Sequence, residues 1–384
     1  MKLVFLCALA GLWAISAHAA PPPLPKAAAI DAEVARAMAS TGAKGLAVAV
    51  IEDGRVGHVK SYGLRNAAGD PLQTATVMYG ASLTKAVFAY TVMQLVEEGV
   101  IGLDVPIERY LSKPLPAYTE QDVEDRYARW SDLAGDERWR KLTARILLTH
   151  SPGFANFGFL EPDGKLRFHF EPGARYAYSG DGFILLQFVL ERGLGLDLGR
   201  EMQARVFDRF GMRNTSMIWR PDFRANLADG WDMEGKTEPH DERSAVRAAG
   251  SMDTTIEDFA RFAAGFMRGE GLSAGGRAEI IRPQLPITTR TQFPTLQPEL
   301  PVAERRPDLA AGLGVIAFSG PQGPGFEKGG HNNITGNTWI CVERRRACVV
   351  LLANDVRAEA AFPGLVRFIL GETGAPYDWS KNVP

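Results

Sequence analysis

Hydrophobic and polar positions divide the chain into two strand-rich ends and a long helical middle. Residues 45–64, GLAVAVIEDGRVGHVKSYGL, contain an apolar run, a turn at Asp53 and Gly54, and a second run of alternating character. This pattern predicts a β-hairpin, and the apolar spacing before it predicts an amphipathic helix near residues 30–40. Strand patterns return near the other end of the chain, in residues 312–318, 336–343 and 347–354.

Between these ends, from about residue 82 to residue 244, the signals are those of helices and loops. The clearest helical segments are LTARILLTH, GFILLQFVLERGLG and REMQARVFDRFG, which begin at residues 142, 182 and 200. A later helix is predicted in TTIEDFARFAAGFMRG, with Thr254 and Glu257 spaced as a capping box. GLVRFILGE, residues 364–372, predicts a closing helix.

Strands at both ends of the chain must bury their apolar faces together. The simplest arrangement is an α+β fold, in which one antiparallel sheet is flanked by the terminal helices and a mostly helical domain is inserted. The predicted sheet domain is discontinuous, residues 20–78 and 245–384, and residues 79–244 form the helical domain. With 384 residues and 46% hydrophobic content, the chain is long enough for two such domains.

The charge of the chain gives no indication of nucleic acid as a partner. The formal net charge is -2 at pH 7, and no basic stripe runs along a predicted element. The short cluster ERRRA, residues 343–347, lies between two predicted strands. We interpret it as a solvated hairpin turn.

The first nineteen residues are predicted to be a signal peptide. Lys2 precedes an apolar run, LVFLCALAGLWAI, that is too short to span a bilayer, and AHA at residues 17–19 is a small-x-small cleavage site. An uncleaved anchor is the alternative interpretation. Since no later stretch is apolar enough to cross a membrane, we expect a periplasmic or secreted protein without a stable membrane anchor.

Export changes the interpretation of the cysteines, because an oxidising compartment permits disulfides. Three cysteines occur, and Cys7 would leave with the signal peptide. Cys341 and Cys348 flank the turn of a predicted hairpin, which sets them opposite each other. A disulfide and two free thiols on a buried strand are both compatible with this placement, since cross-strand disulfide geometry is demanding.

One apolar helix, predicted within MYGASLTKAVFAYTVMQLVEEG at residues 78–99, carries a hydroxyl and an amine on the same face. Ser82 and Lys85 are three residues apart, so one helical turn brings them together. The helix is apolar nearly all round, which predicts burial, and burial lowers the pKa of a lysine. A serine becomes nucleophilic when a base takes its proton, and a helix N-terminus suits a developing oxyanion. Alone, the pair is also compatible with a capping serine beside a snorkelling lysine.

Two further segments add to this pair. FEPGARYAYSGDGFILLQF places Tyr178 just before an apolar helix, and GFEKGGHNNITGN places Lys328 before two glycines at the edge of a strand. The ordered motifs SLTK, YSG and KGG resemble those of the serine β-lactamase and penicillin-binding-protein superfamily. The resemblance is to its branch of class C β-lactamases, D-aminopeptidases and family VIII esterases, and it covers nearly all of the mature chain. It implies a β-lactamase/transpeptidase-like fold.

The resemblance implies a role for each matching residue. Ser82 would be the nucleophile that forms an acyl-enzyme, and Lys85 would help to deprotonate it. Tyr178 would act first as a base, a role that a tyrosinate between two lysines would fill, and then as an acid to the leaving group. Lys328 would supply the positive field that stabilises the tyrosinate. The N–H groups of Ser82 and His331 would form the oxyanion hole. Whether Lys85 or Tyr178 takes the first proton is left open.

The expected substrate-binding positions are Gly180, Gly329, Gly330 and His331, and three of them depart from the family pattern. Gly180 stands where the family often has an Asn amide, which holds the acyl-amide arm of a β-lactam. Gly329 and His331 replace hydroxyl residues that meet the β-lactam carboxylate. These changes favour an ester or a D-amino-acid peptide as substrate at least as much as a β-lactam.

Several other polar residues are expected to be structural. His150 is interpreted as a hydrogen-bonding residue at a helix end, and Asp181 as a turn aspartate. Ser273 in GLSAG is interpreted as a loop serine, because a nucleophile elbow needs a strand before it and here a helix precedes it. The histidines lie far apart without metal-ligand spacing, so neither a metal nor another cofactor is predicted.

The sequence therefore predicts an exported serine hydrolase that acts through an acyl-enzyme on β-lactams, D-amino-acid peptides or small esters. Its expected partner is a small-molecule or peptidoglycan-derived substrate. The alternative is a non-hydrolytic protein that binds penicillin or peptidoglycan.

Overall fold

The computed structural model describes residues 23–119 and 127–380, and an eight-stranded antiparallel sheet lies at its centre. The strands are β1 (Gly45–Glu52), β2 (Arg55–Gly63), β3 (Met78–Tyr79), β4 (Gly230–Trp231), β5 (Thr237–Glu238), β6 (Asp253–Thr254), β7 (Leu285–Pro286), β8 (Leu309–Ala311), β9 (Ile316–Gly320), β10 (Gly323–His331), β11 (Gly336–Val342) and β12 (Ala347–Ala353). The sheet order is β2-β1-β12-β11-β10-β9-β8-β7, while β3 pairs with β6 and β4 with β5. The N-terminal hairpin thus joins the C-terminal strands in one sheet.

Helices cover both faces of the sheet and form much of the middle of the chain. The α-helices are α1 (Ala27–Thr41), α2 (Leu83–Glu97), α3 (Ala144–Leu148), α4 (Gly180–Phe188), α5 (Leu198–Met202), α6 (Ile256–Arg268), α7 (Ala274–Ile281), α8 (Phe362–Leu370) and α9 (Tyr377–Ser380). Short 3₁₀ turns lie at Ile107–Tyr110, Leu115–Ala117, Trp130–Leu133, Glu137–Lys141, Gly158–Leu160, Pro221–Asn226, Val302–Glu304 and Val356–Ala361. Helices α4 and α5 each continue as a π-helical turn, Val189–Gly193 and Gln203–Phe207.

The sheet separates two hydrophobic cores. Side chains of β1 alternate between them, with Ala49 and Ile51 in the core beneath α2 and α6, and Val48 and Val50 in the core beneath α1 and α8. A strand buried on both faces must be apolar throughout, which explains its continuous hydrophobic run. The predicted α+β class, with terminal helices flanking an antiparallel sheet, is confirmed.

Helix α2 is buried along nearly its whole length. Every residue from Leu83 to Leu95 is buried, and the helix packs against α5, α7 and strands β10 and β11. An environment that is apolar on all sides requires a helix that is apolar on all sides. The predicted burial of this helix, and of Lys85 within it, is therefore confirmed.

The two predicted hairpins are present. In the first, Asp53 and Gly54 both have positive φ, 46° and 69°, as a two-residue hairpin turn of this twist requires. In the second, Cys341 and Cys348 are directly opposite on β11 and β12 and form a disulfide. The basic cluster lies at the tip of this second hairpin, as predicted.

Two local predictions are wrong. Helix α6 is capped by Thr255, whose hydroxyl accepts from the N–H of Asp258, so the predicted capping box at Thr254 is one residue early. Thr254 instead shares a hydrogen bond of 2.8 Å with Thr215. The second error is at Lys328, which was expected at the edge of a strand but lies well inside the nine-residue strand β10.

The predicted signal peptide, residues 1–19, lies outside the described residues. Within residues 23–119 and 127–380, no helix is both long enough and apolar enough to cross a bilayer.

Candidate active site

A strained turn presents Ser82 at the N-terminus of α2. The preceding residue, Ala81, has a φ of 46°, in the left-handed region that residues with a Cβ rarely occupy. Thr84 holds this turn, because its hydroxyl donates to the Ala81 carbonyl at 2.6 Å and accepts from the N–H of Met252 at 3.2 Å. The hydroxyl of Ser82 is thereby fixed at the wall of a cleft.

The amine of Lys85 is buried beside this hydroxyl. Its Nζ lies 3.1 Å from Ser82 Oγ and donates to the carbonyl of Ala249 at 2.5 Å. Burial lowers the pKa of Lys85 well below its ordinary value, and the nearby charge of Lys328 lowers it further. The site therefore favours a neutral amine, whose lone pair can accept the proton of Ser82.

Tyr178, just before α4, reaches the same hydroxyl from the other side. Its OH donates to Ser82 Oγ at 2.8 Å, and the nitrogens of Lys85 and Lys328 lie 4.9 and 5.2 Å from its ring centroid. Burial raises the pKa of Tyr178, although the hydrogen bond to Ser82 acts in the opposite direction. The phenol is therefore a proton donor in the free protein, and the tyrosinate form is not favoured.

His150 supports Tyr178 from behind. The two rings are stacked, with centroids 4.2 Å apart and planes inclined by 22°. The N–H of Ser179 donates to His150 Nδ1 at 3.0 Å, and burial lowers the pKa of His150 well below its ordinary value. A neutral, hydrogen-bonding histidine agrees with the structural role predicted for it.

Strand β10 brings Lys328 and Gly330 against the turn at residues 80–82, which we call the nucleophile turn after the role predicted for Ser82. Burial lowers the pKa of Lys328 to about 8, partly offset by the carboxylate of Glu327, and its Nζ donates to the carbonyl of Gly329 at 2.9 Å. At Gly330, an added Cβ would lie 2.6 Å from the carbonyl oxygen of Gly80 and 3.1 Å from the backbone nitrogen of Ser82. The strand can approach the turn this closely only because residue 330 is glycine.

A cleft of about 770 Å³ adjoins these side chains, and its lining includes Ser82, Lys85, Tyr178 and Lys328. Aromatic rings line part of it, including those of Phe157 and Phe293, and Phe293 lies 5.3 Å from the ring of Tyr178. Glu327 and Glu359 line other parts. A cleft of this size accommodates a small organic substrate with both apolar and polar groups.

Gly180 begins α4, and its neighbours fill the space where a side chain would project. An added Cβ would lie 2.4 Å from two ring atoms of Phe157 and 3.2 Å from Asn156 Oδ1. The N–H of Gly180 donates to Asn156 Oδ1 at 2.9 Å. Position 180 therefore contributes backbone alone, and the side-chain amide in this part of the cleft belongs to Asn156.

His331 lies at the end of β10, with its side chain paired to a carboxylate. Its Nδ1 is 3.0 Å from both oxygens of Glu359, which belongs to the 3₁₀ turn Val356–Ala361. The Glu359 side chain is 10% exposed, and its burial raises its pKa while His331 lowers it. The imidazole is thus committed to Glu359, which leaves the backbone of His331 for the predicted oxyanion site.

The structure corrects the prediction for Asp181. This residue lies in the first turn of α4 rather than in a turn between elements, is 4% exposed, and accepts from the N–H of Gly158 at 2.6 Å. Burial raises its pKa to about 7. Its carboxylate thereby anchors the segment that carries Asn156 and Phe157.

The prediction that Ser273 does not form a nucleophile elbow agrees with its position in the structure. It caps α7, with its hydroxyl accepting from the N–H of Gly276 at 2.9 Å, and it follows a helix rather than a strand. In the described part of the chain, no group of three His, Cys, Asp or Glu side chains is arranged to hold a metal ion.

The sequence predicted that Ser82, Lys85, Tyr178 and Lys328 lie at one site, and the structure places all four side chains at the same cleft. The prediction missed Asn156, Phe157 and Glu359. The glycine of the YSG motif was the available signal for the first two, since a missing side chain leaves space that another residue must fill.

Similarity to a known protein family extends over most of the chain. The family model described as Beta-lactamase matches residues 30–370. The chain belongs to the beta-lactamase family. All four side chains at the cleft lie within the part of this beta-lactamase-family chain that the match covers.

The relatives of this beta-lactamase-family protein include a human beta-lactamase-like protein, 29% identical over 266 residues, which are 66% of this chain and 51% of the human one. Lovastatin esterase from Penicillium rubens is 30% identical over 183 residues, 41% of this chain and 44% of the esterase. The chain thus spans about half the length of these curated relatives. The solved structure of the D-alanine carboxypeptidase AmpC from Burkholderia cenocepacia has a TM-score of 0.69 at 18% identity, over 89% of this chain and 97% of that one. This similarity confirms the predicted β-lactamase/transpeptidase-like fold.

Proposed function

We propose that the protein is a serine hydrolase that forms an acyl-enzyme on Ser82. The observation that carries the proposal is the pair of contacts to one oxygen, from Tyr178 OH at 2.8 Å and Lys85 Nζ at 3.1 Å. A hydroxyl between a buried amine and a protonated phenol has a base on one side and an acid on the other. Membership of the beta-lactamase family supports the same reaction class.

In the proposed acylation, Lys85 is the base. Its lone pair takes the proton of Ser82 as Oγ bonds to the carbonyl carbon of the acyl donor. The lowered pKa of Lys85 and the raised pKa of Tyr178 support this assignment over a tyrosinate base. The negative charge that develops on the carbonyl oxygen would be met by the N–H groups of Ser82 and His331.

Collapse of the tetrahedral intermediate requires an acid. As the bond from the carbonyl carbon to the leaving oxygen breaks, the phenol of Tyr178 donates its proton to that oxygen, and the proton held by Lys85 restores the phenol. Water then attacks the acyl-serine and loses a proton to the same base. That proton returns to Ser82 Oγ when the acid product departs.

We propose small esters as the substrate class, with D-amino-acid peptides and β-lactams as the other acyl donors that this chemistry serves. Gly180 supplies no side-chain amide, and the rings of Phe157 and Phe293 line the cleft. An esterase is among the relatives of the chain. The departures at Gly329 and His331 remove the hydroxyls that a β-lactam carboxylate would meet.

We also propose that the protein is exported, with a signal peptide at residues 1–19 and a mature chain that begins at Ala20. The small-x-small sequence at residues 17–19 supports this cleavage site. Intact mass of the protein recovered from the periplasm or medium should correspond to residues 20–384. Retention of the first nineteen residues would contradict the proposal.

Covalent labelling tests the proposed chemistry directly. Wild-type protein should gain one fluorophosphonate label and hydrolyse a short-chain nitrophenyl ester, and Ser82→Ala should do neither. A wild-type protein that is acylated by penicillin but releases no product from any ester, D-Ala peptide or β-lactam would instead support a non-hydrolytic binding protein. Equal ester hydrolysis by wild type and Ser82→Ala would remove Ser82 from the mechanism.

A further inference from the structure

We infer that Glu359 makes the cleft discriminate against acyl donors that carry a carboxylate in the leaving group. The inference rests on the proposed function and deepens it, because it names a substrate class for the same site. It begins from the face of β10 on which the substrate-binding positions lie.

Side chains alternate along a strand, so residues 329 and 331 project to one face of β10 and residues 328 and 330 to the other. Gly330 faces the nucleophile turn, where an added Cβ would approach the backbone of Ser82. Residues 329 and 331 therefore face away from that turn, toward the segment that follows β12. Any side chain at these two positions would project toward that segment.

Glu359 occupies this face. In the antiparallel pair of β10 and β11, His331 is directly opposite Gly336, and directly opposite residues share a face. An added Cβ at Gly336 would lie 2.2 Å from Cγ of Glu359, so the glutamate is seated over this glycine. Its carboxylate is then held by His331 Nδ1 at 3.0 Å. The carboxylate of Glu359 thus lies in the space through which the side chain of residue 331 would otherwise contact the substrate.

His331 is the side chain that pairs with Glu359, whereas the amine of Lys328 lies on the other face of the strand and is directed to a backbone carbonyl. Lys328 donates to the carbonyl of Gly329 at 2.9 Å, and the adjacent residue, Glu327, also lines the cleft. An anionic leaving group beside β10 would therefore meet Glu359 at short range in a partly buried site, where like charges repel more strongly than in water. A neutral leaving group meets no such penalty, and Thr338, opposite Gly329 on the cleft lining, presents an uncharged hydroxyl residue.

A matched pair of esters tests the inference. 3-Acetoxybenzoate and 3-acetoxybenzamide have the same acyl group and leaving groups of nearly the same shape, and they differ by one negative charge. Wild type should show a higher kcat/KM for the benzamide. Glu359→Gln, which keeps the shape and a hydrogen-bonding oxygen, should move the benzoate-to-benzamide ratio of kcat/KM toward the charged ester by about tenfold or more.

The ratio cancels any general loss of activity in the variant, and the melting temperature reports its folding. Glu372→Gln is the matched control, because Glu372 is 61% exposed and pairs with Arg367 at the surface, so it should leave the ratio within about twofold. Ser82-dependent hydrolysis with the same ratio in wild type and Glu359→Gln would overturn the inference and leave the proposed function standing. Hydrolysis that does not depend on Ser82 would overturn both.

Discussion

Burial of Lys85 is the feature at the residue scale that supports the base role proposed for it. Burial of an ammonium costs free energy, and the residue is 1% exposed beside a second amine, that of Lys328. The cost of burying the ammonium and its repulsion by Lys328 are both reduced if Lys85 gives up its proton. The environment that penalises the charged form therefore favours the neutral amine, which is the form that the proposed base requires. The neutral amine keeps two N–H groups, and one of them can donate to the carbonyl of Ala249.

We expect Lys85→Arg to slow fluorophosphonate labelling of Ser82 by at least about a thousandfold, because a guanidinium stays protonated and cannot accept the serine proton. Wild-type labelling should increase with pH and level off, with a midpoint well below the ordinary lysine pKa, since the deprotonated amine is the active form. Lys60→Arg is the control, because Lys60 is 47% exposed and pairs with Asp31. Labelling of Lys85→Arg within tenfold of wild type would exclude Lys85 as the base.

Gly180 gives a second prediction at the residue scale. Restoring the family's asparagine by Gly180→Asn should destabilise the protein by about 1–3 kcal/mol, because its Cβ would overlap the ring of Phe157. Adding Phe157→Ala should recover part of this loss, measured by urea denaturation. Gly364→Asn on α8 is the control for introducing asparagine, since an added Cβ there meets nothing within 4 Å. Equal destabilisation with and without Phe157→Ala would show that the ring is not the obstacle.

At the scale of elements, strands with continuous apolar runs were predictable over their whole length, whereas for the strand that builds the site only an edge near Lys328 was predicted. Three strands are buried on both faces and have continuous hydrophobic sequences, namely β1, β11 and β12. Their ends were therefore predictable to within about one residue. β10 has the sequence GPGFEKGGH, whose glycines, proline and charges disfavour a strand on local grounds. It is a strand because β9 and β11 pair with it on both sides, and such long-range pairing has no local signal.

The residues of the candidate site also differ in whether local sequence or long-range contacts bring them together. Ser82 and Lys85 could be paired from sequence because helical spacing is local, and Tyr178 and Lys328 were added by the resemblance. Asn156 and Glu359 reach the cleft through contacts with residues 24 and 28 positions away, at Gly180 and His331. Nothing in the spacing of the sequence reports such contacts.

Strand β10 supplies a prediction about the close approach of two elements. Gly330→Ala should lower kcat/KM for an ester by at least about a hundredfold, because its Cβ would push the strand away from the carbonyl of Gly80 and the N–H of Ser82. Gly57→Ala, in exposed strand β2, is the control, since an added Cβ there is 3.7 Å from the nearest atom. Both variants should remain folded by circular dichroism. Wild-type activity in Gly330→Ala would show that the approach of β10 does not shape the site.

At the scale of the whole molecule, the sheet joins distant parts of the chain and places the site at one end of its central strands. His331 pairs with Gly336 at the end of the β10–β11 ladder, and the Cys341–Cys348 disulfide lies five residues further along β11. At about 3.4 Å per residue, the disulfide is roughly 17 Å along β11 from that end, roughly 14 Å from Asn337, which pairs with Gly330 beside Ser82, and roughly 7 Å from Trp339, which pairs with Lys328. The covalent link is therefore separated from the Ser82 end of the site and can support the fold without contacting Ser82.

Removal of the disulfide should separate stability from activity. The Cys341→Ala, Cys348→Ala double variant should lose about 2–3 kcal/mol in the free energy of unfolding, because the bond closes a short loop and restricts the unfolded chain. Reduced wild type should show a similar loss in urea denaturation, which distinguishes the lost link from any cavity left by the substitutions. At temperatures where both proteins are folded, kcat/KM for an ester should agree within about threefold, since the hairpin tip is remote from Ser82. Identical unfolding midpoints for oxidised and reduced wild type would show that the bond does not stabilise the sheet, and a large loss of activity in the folded double variant would show that the tip and the site are coupled.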